Sequence, residues 1–128
     1  MNYGFTRDLA LPYEKAVKLV REVLQKEGFG ILTEIDVKEK FREKLGVDFK
    51  KYIILGACNP PYAYKAIRAE EGIGLMLPCN VVVYENNGGS VLSIIRPTVT
   101  MEMIDNPELR KVVSDVEIKL KHVFDAIH

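Results

Sequence analysis

Two cysteines carry the reactive chemistry of this chain, and each is followed by asparagine close to proline: Leu55-Gly56-Ala57-Cys58-Asn59-Pro60-Pro61 and Leu75-Met76-Leu77-Pro78-Cys79-Asn80. A thiol can act as a soft-metal ligand, as half of a redox pair or, once ionised, as a nucleophile. Cys58 lies where an apolar, strand-like run gives way to a proline-started helix. The unpaired amides of a helix start favour a nearby anion, so this thiol is expected to ionise below its ordinary value of about 8.5. The opposing reading is that free cysteine is among the most buried residue types and often only fills space.

An Asn side chain donates and accepts hydrogen bonds, which suits either holding a ligand or fixing a turn. Asn59, directly before Pro60, is expected to cap the helix that follows, and Asn80 to support the start of a strand. A shared site rimmed by Cys58, Asn59, Pro60, Cys79 and Asn80 requires the two strand ends to meet at one edge of a sheet. Adjacent thiols would make Cys58 and Cys79 a redox pair or half of a soft-metal centre. Separated thiols would be packing.

Other candidates are weaker. His122 stands alone in a helical stretch, and His128 is the last residue. Glu70 and Glu71 are neighbours in sequence and splay by about 100 degrees on a helix, so they form no acid/base pair. No Ser-His-Asp ordering, zinc-protease spacing or phosphate-binding glycine loop is present. Met76, Met101 and Met103 read as ordinary apolar packing, with soft-ligand or pocket roles the lesser option.

The elements that must position the cysteines follow from periodicity. Tyr3, Phe5 and Leu9 open with an alternating strand pattern, and Ala16, Leu19, Val20, Val23 and Leu24 recur at helical spacing up to Gly28. Phe29, Ile31, Thr33 and Ile35 alternate again. Asp36 with Glu39 resembles a capping-box start for a short, charged helix ending at Gly46. Tyr52–Cys58 is apolar at both phases, as expected of a central strand covered on two faces. After the proline-started helix, Gly72 and Gly74 read as stops. Asn80–Glu85 and Ser90–Arg96 flank Asn86-Asn87-Gly88-Gly89, the signature of a hairpin. Asn106-Pro107 then starts a helix with Leu109, Val112, Val113, Val116, Leu120, Phe124 and Ile127 on one face. The order βαβαβαββα lacks regular βα alternation. It predicts an α+β fold in which a mainly antiparallel sheet of about five strands has helices packed on one face, as a single domain over residues 1–128.

Composition bounds the partners. With 128 residues, 48% of them hydrophobic, the chain can bury a core without metal or disulfide. Lys plus Arg and Asp plus Glu both total 18 and alternate along the helices, so no basic stripe for nucleic acid is expected. No apolar run is long enough to cross a membrane and no leader pattern precedes the first strand, so no membrane association is expected. Two widely spaced cysteines do not make a secreted disulfide framework, and a reducing, cytoplasmic location is expected.

The blocks Ile54-Leu55-Gly56-Ala57-Cys58-Asn59-Pro60-Pro61-Tyr62-Ala63 and Gly74-Leu75-Met76-Leu77-Pro78-Cys79-Asn80-Val81-Val82-Val83-Tyr84 resemble the signature of the domain of unknown function 302 family. The resemblance spans essentially the whole chain. It implies a sheet related to one TATA-binding-protein-like repeat with added helices and a tendency to dimerise, and it directs attention to both Cys-Asn pairs together with Pro60, Pro61 and Pro78. It implies no reaction and no cofactor, and the fold name does not import DNA binding.

The leading functional reading is a binding module for a small ligand or soft metal at the site rimmed by the two pairs. The alternatives are an enzyme using the Cys58 thiolate in redox or nucleophilic chemistry, and a homodimeric interaction subunit that buries uncovered sheet. No catalytic dyad or triad is recognisable.

Overall fold

The computed structural model describes residues 2–128. Five strands, β1 (Gly4–Leu9), β2 (Gly30–Asp36), β3 (Tyr52–Cys58), β4 (Cys79–Asn86) and β5 (Gly89–Ile95), form one sheet in the order β1-β5-β4-β3-β2. Every neighbouring pair is antiparallel. The helices are α1 (Tyr13–Lys26), α2 (Val37–Leu45), α3 (Pro60–Ala69), α4 (Pro97–Thr100) and α5 (Pro107–Asp125). The fold is α+β with the element order read from the sequence, and two short additions. A 3-10 segment over Glu71–Met76 follows α3, and Pro97 starts the single turn of α4. Gly72 and Gly74 weaken an α-helix here, while Ile73 between them is buried and pins the turn. The central strand is β4 and not Tyr52–Cys58, which is β3 and lies second from the edge.

Local signals account for most element ends. The Asp36 carboxylate accepts from the Glu39 amide at 3.0 Å to start α2, and Gly46 closes it in the left-handed region at φ 65°. Asn87 and Gly88, at φ 49° and 85°, make the β4–β5 turn, the positive-φ pair that matches strand twist in a tight hairpin. Asn106 Oδ1 accepts from the Leu109 amide at 3.1 Å and caps α5. The same side chain donates to the Ala69 carbonyl at 2.8 Å and to Glu70 Oε1 at 2.9 Å, which ties the end of α3 to the start of α5.

One face of the sheet is covered. Leu55, Ala57, Cys79, Val81, Val83, Leu92 and Ile94 project from it and pack against Ala16, Val20 and Leu24 of α1 and Leu120, Val123 and Phe124 of α5. Their alternation along β4, with Cys79, Val81 and Val83 buried, is the period-two pattern of a half-covered sheet. A second apolar cluster lies under α3, built from Ala66, Ile73, Met101, Leu109, Val112 and Val113. On β1, Arg7 Nη1 donates to the carbonyls of Phe124 at 2.9 Å and Ile127 at 2.5 Å, and its guanidinium lies 4.1 Å from the Phe124 ring centroid. A cation at the C-terminal carbonyls of a helix satisfies acceptors that the helix cannot, and complements its dipole.

The edge nearest the cysteines is shaped by one glycine. A Cβ on Gly56 would come 2.1 Å from Thr33 Oγ1 and 2.6 Å from Pro78 Cγ, so only a residue without a side chain lets β2 and the entry to β4 close over β3. The β2–β3 register shifts between Ile31 and Thr33 at this point. Gly56→Ala is expected to lower stability by about 1–3 kcal/mol through overpacking, measured by urea unfolding. Gly72→Ala, where nothing lies within 4 Å, is the control and stays near the parent; equal losses in the two variants would refute the close-packing account.

Candidate functional site

The β3–β4 pairing places Ala57 opposite Cys79, so the end of β3 and the beginning of β4 share one sheet edge. α3 leaves β3 directly after Cys58, since Pro60 supplies a fixed φ for a first helical turn. The Asn59 carbonyl accepts from the Tyr62 amide at 3.1 Å and the Ala63 amide at 2.9 Å. α3 therefore rises beside the sheet edge and presents the small side chains Ala63 and Ala66 toward α5, whose facing residues are Val112, Val113 and Val116.

Small residues on facing elements leave space. A cavity of about 260 Å³ lies at the seam of the two apolar clusters. The sheet contributes Ala57, Cys58 and Cys79, with Leu77 and Pro78 leading into β4. Phe29 and Leu32 close one side, Tyr62 and Ile67 complete the α3 wall, and Pro97 and Met101 come from the α4 turn. No Asp, Glu, Lys, Arg or His side chain lines it among the described residues.

The structure brings Cys58, Asn59 and Cys79 to this cavity and leaves Pro60 and Asn80 out of it. Pro60 is exposed at the first turn of α3. Asn80 pairs with Gly56 and is exposed, because successive strand residues point to opposite faces and Cys79 occupies the covered one. The expected capping by Asn59 also differs. Asn59 sits at the N-cap position of α3, but its side chain makes no cap hydrogen bond. It turns inward, 9% exposed, with Nδ2 3.2 Å from where a Cβ on Gly28 would stand. Gly28 has φ 87° and, lacking a side chain, makes room for the amide.

No hydrogen-bond partner is found for the Asn59 carboxamide among the described residues. Among those residues, no fully enclosed side-chain nitrogen or oxygen lacks a partner, so this unpartnered amide must open onto accessible space.

Both thiols are held protonated. Burial pushes the Cys58 thiol up from its ordinary value, opposite to the lowering expected from its place near a helix start. The desolvation of a thiolate against apolar walls outweighs the attraction of the α3 amides. Cys79 is pushed up to about 11, by burial first and then by the nearby Cys58. Metal binding needs thiolates. Among the described residues no group of three or more His, Cys, Asp and Glu side chains converges to hold a metal, so the donor set at Cys58 and Cys79 fits a metal poorly. The residues that sequence reasoning missed, Phe29, Ala63, Ala66, Val112 and Val113, look in the sequence like any core stripe.

The raised Cys79 value fixes a pH dependence. The unfolded chain releases this proton near 9.0, whereas the folded chain holds it to about 11. Stability linked to Cys79 is thus complete below pH 9.0 and lost as pH rises through about 11. Urea unfolding across this range is expected to show the parent losing stability relative to Cys79→Ala. A difference that stays constant with pH would contradict the burial of this thiol.

The same fold recurs in a solved protein. A crystal structure described as an uncharacterized conserved protein, DUF302, from Bacillus stearothermophilus superposes with a TM-score of 0.91 at 32% sequence identity, covering 100% of both chains. No curated protein matches the chain. The model of the domain of unknown function DUF302 matches residues 5–127, and the chain belongs to that family.

Proposed function

We propose that this protein is a binding module that takes a small, mainly apolar ligand into the cavity between α3, α5 and the β3–β4 edge. The observation that carries this reading is the void itself. A concave, half-open pocket of about 260 Å³ lies at the junction of two apolar clusters, larger than the gaps that close packing leaves between elements. An engineered apolar cavity of about 150 Å³ is enough to admit benzene. Concave, mostly apolar walls with a few polar groups are the usual make-up of a small-molecule site. Cys58 and Cys79 contribute soft, polarisable wall surface in this reading. Thiolate chemistry and a soft-metal centre are weaker alternatives, because both require charges that the apolar lining opposes.

The test is an NMR titration with small alkylbenzenes. Amide shifts are expected to concentrate at Cys58–Ala66, Leu77–Cys79 and Val112–Val116. Ala66→Phe, which fills the cavity from α3, is expected to abolish them while leaving the rest of the spectrum in place. Shifts scattered over the surface, or unchanged in Ala66→Phe, would remove the proposal.

A second reading, compatible with the first, is supported by the other face of the sheet. Tyr52 and Tyr84 stack there with ring centroids 5.1 Å apart, on the same face as the half-buried Ile54 and Val82. Ile35 is 44% exposed at the edge strand, and Leu45 of α2 is 68% exposed beside the exposed Val47 and Phe49. α2 has no buried residue. An apolar surface of this kind suits burial against a second copy of the chain. Light scattering over a dilution series is expected to show a dimer, and the double variant Ile35→Lys with Leu45→Lys a monomer. A parent that stays monomeric at all concentrations would exclude it.

A further inference from the structure

We propose that the cavity ligand is an amphipathic anion: its apolar body fills the void, and its carboxylate- or phosphate-type head stays outside, held by the ammonium groups of Lys65 and Lys119. The proposal rests on the cavity being a ligand site, as argued above, and adds a charged subsite that the apolar lining does not contain.

Contacts at their two ends set α3 and α5 antiparallel. At one end the Asn106 side chain bonds the Ala69 carbonyl. At the other, Tyr62 of α3 and Val116 of α5 both line the cavity, and Lys119, three residues after Val116, lies on the same side of α5. The Tyr62 ring collects two cations there. The Lys65 ammonium lies 5.4 Å from its centroid and the Lys119 ammonium 5.8 Å. Neither lysine lines the cavity itself, so both charges stand one side chain away from the apolar space.

Two like charges gathered at one ring repel each other, and a shared anion relieves that repulsion. The chain supplies no such anion. Lys38, Lys40, Lys51 and Lys121 each pair with a carboxylate. Among the described residues, no Asp or Glu stands within ion-pair distance of Lys65 or Lys119, and Asp115, one turn before Lys119, is no exception. α3 holds no acidic residue and adds Arg68 to the same surface. Lys119 is half-buried, so water and salt screen its charge less than that of a fully exposed lysine.

Placing the head outside also resolves the cost of charge. Inside the void, where no charged side chain lines the wall among the described residues, an anion would lose its water without gaining a counterion. Beside Tyr62 it keeps part of its water, and the flexible lysine stems let both ammonium groups close on it. Size sets the body. About 260 Å³ takes one ring or one short chain, not the paired acyl chains of a bilayer lipid, so the ligand is a free amphipathic acid.

Three probes with one body separate the terms: octanoate, octanol and octylamine, titrated at neutral pH and followed by amide NMR shifts. Octanoate is expected to bind roughly fivefold tighter than octanol, the upper worth of one exposed ion pair, and octylamine most weakly. Added salt is expected to shrink the difference. Lys65→Gln with Lys119→Gln is expected to bring octanoate down to the level of octanol, and Lys65→Glu with Lys119→Glu to make octylamine the preferred probe over octanoate. Equal binding of octanoate and octanol to the parent, or an octanoate affinity that the double Gln variant leaves unchanged, would overturn the charged subsite and leave the cavity reading standing. If none of the three binds the parent, the cavity reading and this proposal fall together. Sedimentation with phosphatidylglycerol vesicles is expected to leave the protein in solution. Co-sedimentation that the double Gln variant abolishes would assign the lysines to a lipid surface and overturn the free acid. The order of the three probes is read on the parent protein, so the outcome does not depend on how the variants fold.

Discussion

The antiparallel pairing of β3 with β4, in the register that sets Ala57 opposite Cys79, is the constraint on which the rest of the candidate site depends. It brings two chain segments to one edge of the sheet, places Cys79 on the covered face and sends Asn80 to the other. A shift of one residue would reverse both. The register is protected at the same edge by Gly56, over which Thr33 and Pro78 close with no room for a Cβ. From that fixed edge α3 departs, and the Asn106 side chain binds the end of α3 to the start of α5. The distance between the two helices, and hence the void between them, follows from these few contacts.

Burial decides the chemical character of that void. The start of α3 offers positive amides to Cys58, but apolar surroundings raise its thiol and raise Cys79 further. When a dipole and desolvation compete at a largely apolar wall, desolvation prevails because no full charge opposes it. The result is an apolar lining that carries no charged side chain among the described residues.

How much of this was legible in the sequence depends on how local each signal is. The Asp36 cap, the Asn87-Gly88 turn and the Asn106-Pro107 helix start are encoded within a few residues, and they appear in the structure as read. The meeting of the two Cys-Asn segments was a sound conditional, met because β3 and β4 are neighbours. The exclusion of Asn80 was legible in principle, since Cys79, Val81 and Val83 already share one phase of a two-residue period. The inward turn of Asn59 was not, because it depends on Gly28 at the end of another helix. Nor was the cavity, which is a sum over Ala57, Ala63 and Ala66 on separate elements and leaves no pattern along the chain. The same holds for the central position of β4, which only strand pairing reveals.

Arg7 carries a further consequence, one of chain topology. Through its bonds to the carbonyls of Phe124 and Ile127, the first strand holds the last helical turn, so the contact closes a loop that contains nearly every other element. Contacts of such long sequence separation form late and slowly, because the entropy of closing the loop must be spent before they reward it. Val112, Val113 and Val116 belong to the same helix that Arg7 anchors, and they make one wall of the cavity. The void therefore has no boundary on that side until the last helix has docked. During synthesis, the apolar lining of α3 and the sheet edge stays open to water until the ribosome has released the end of α5.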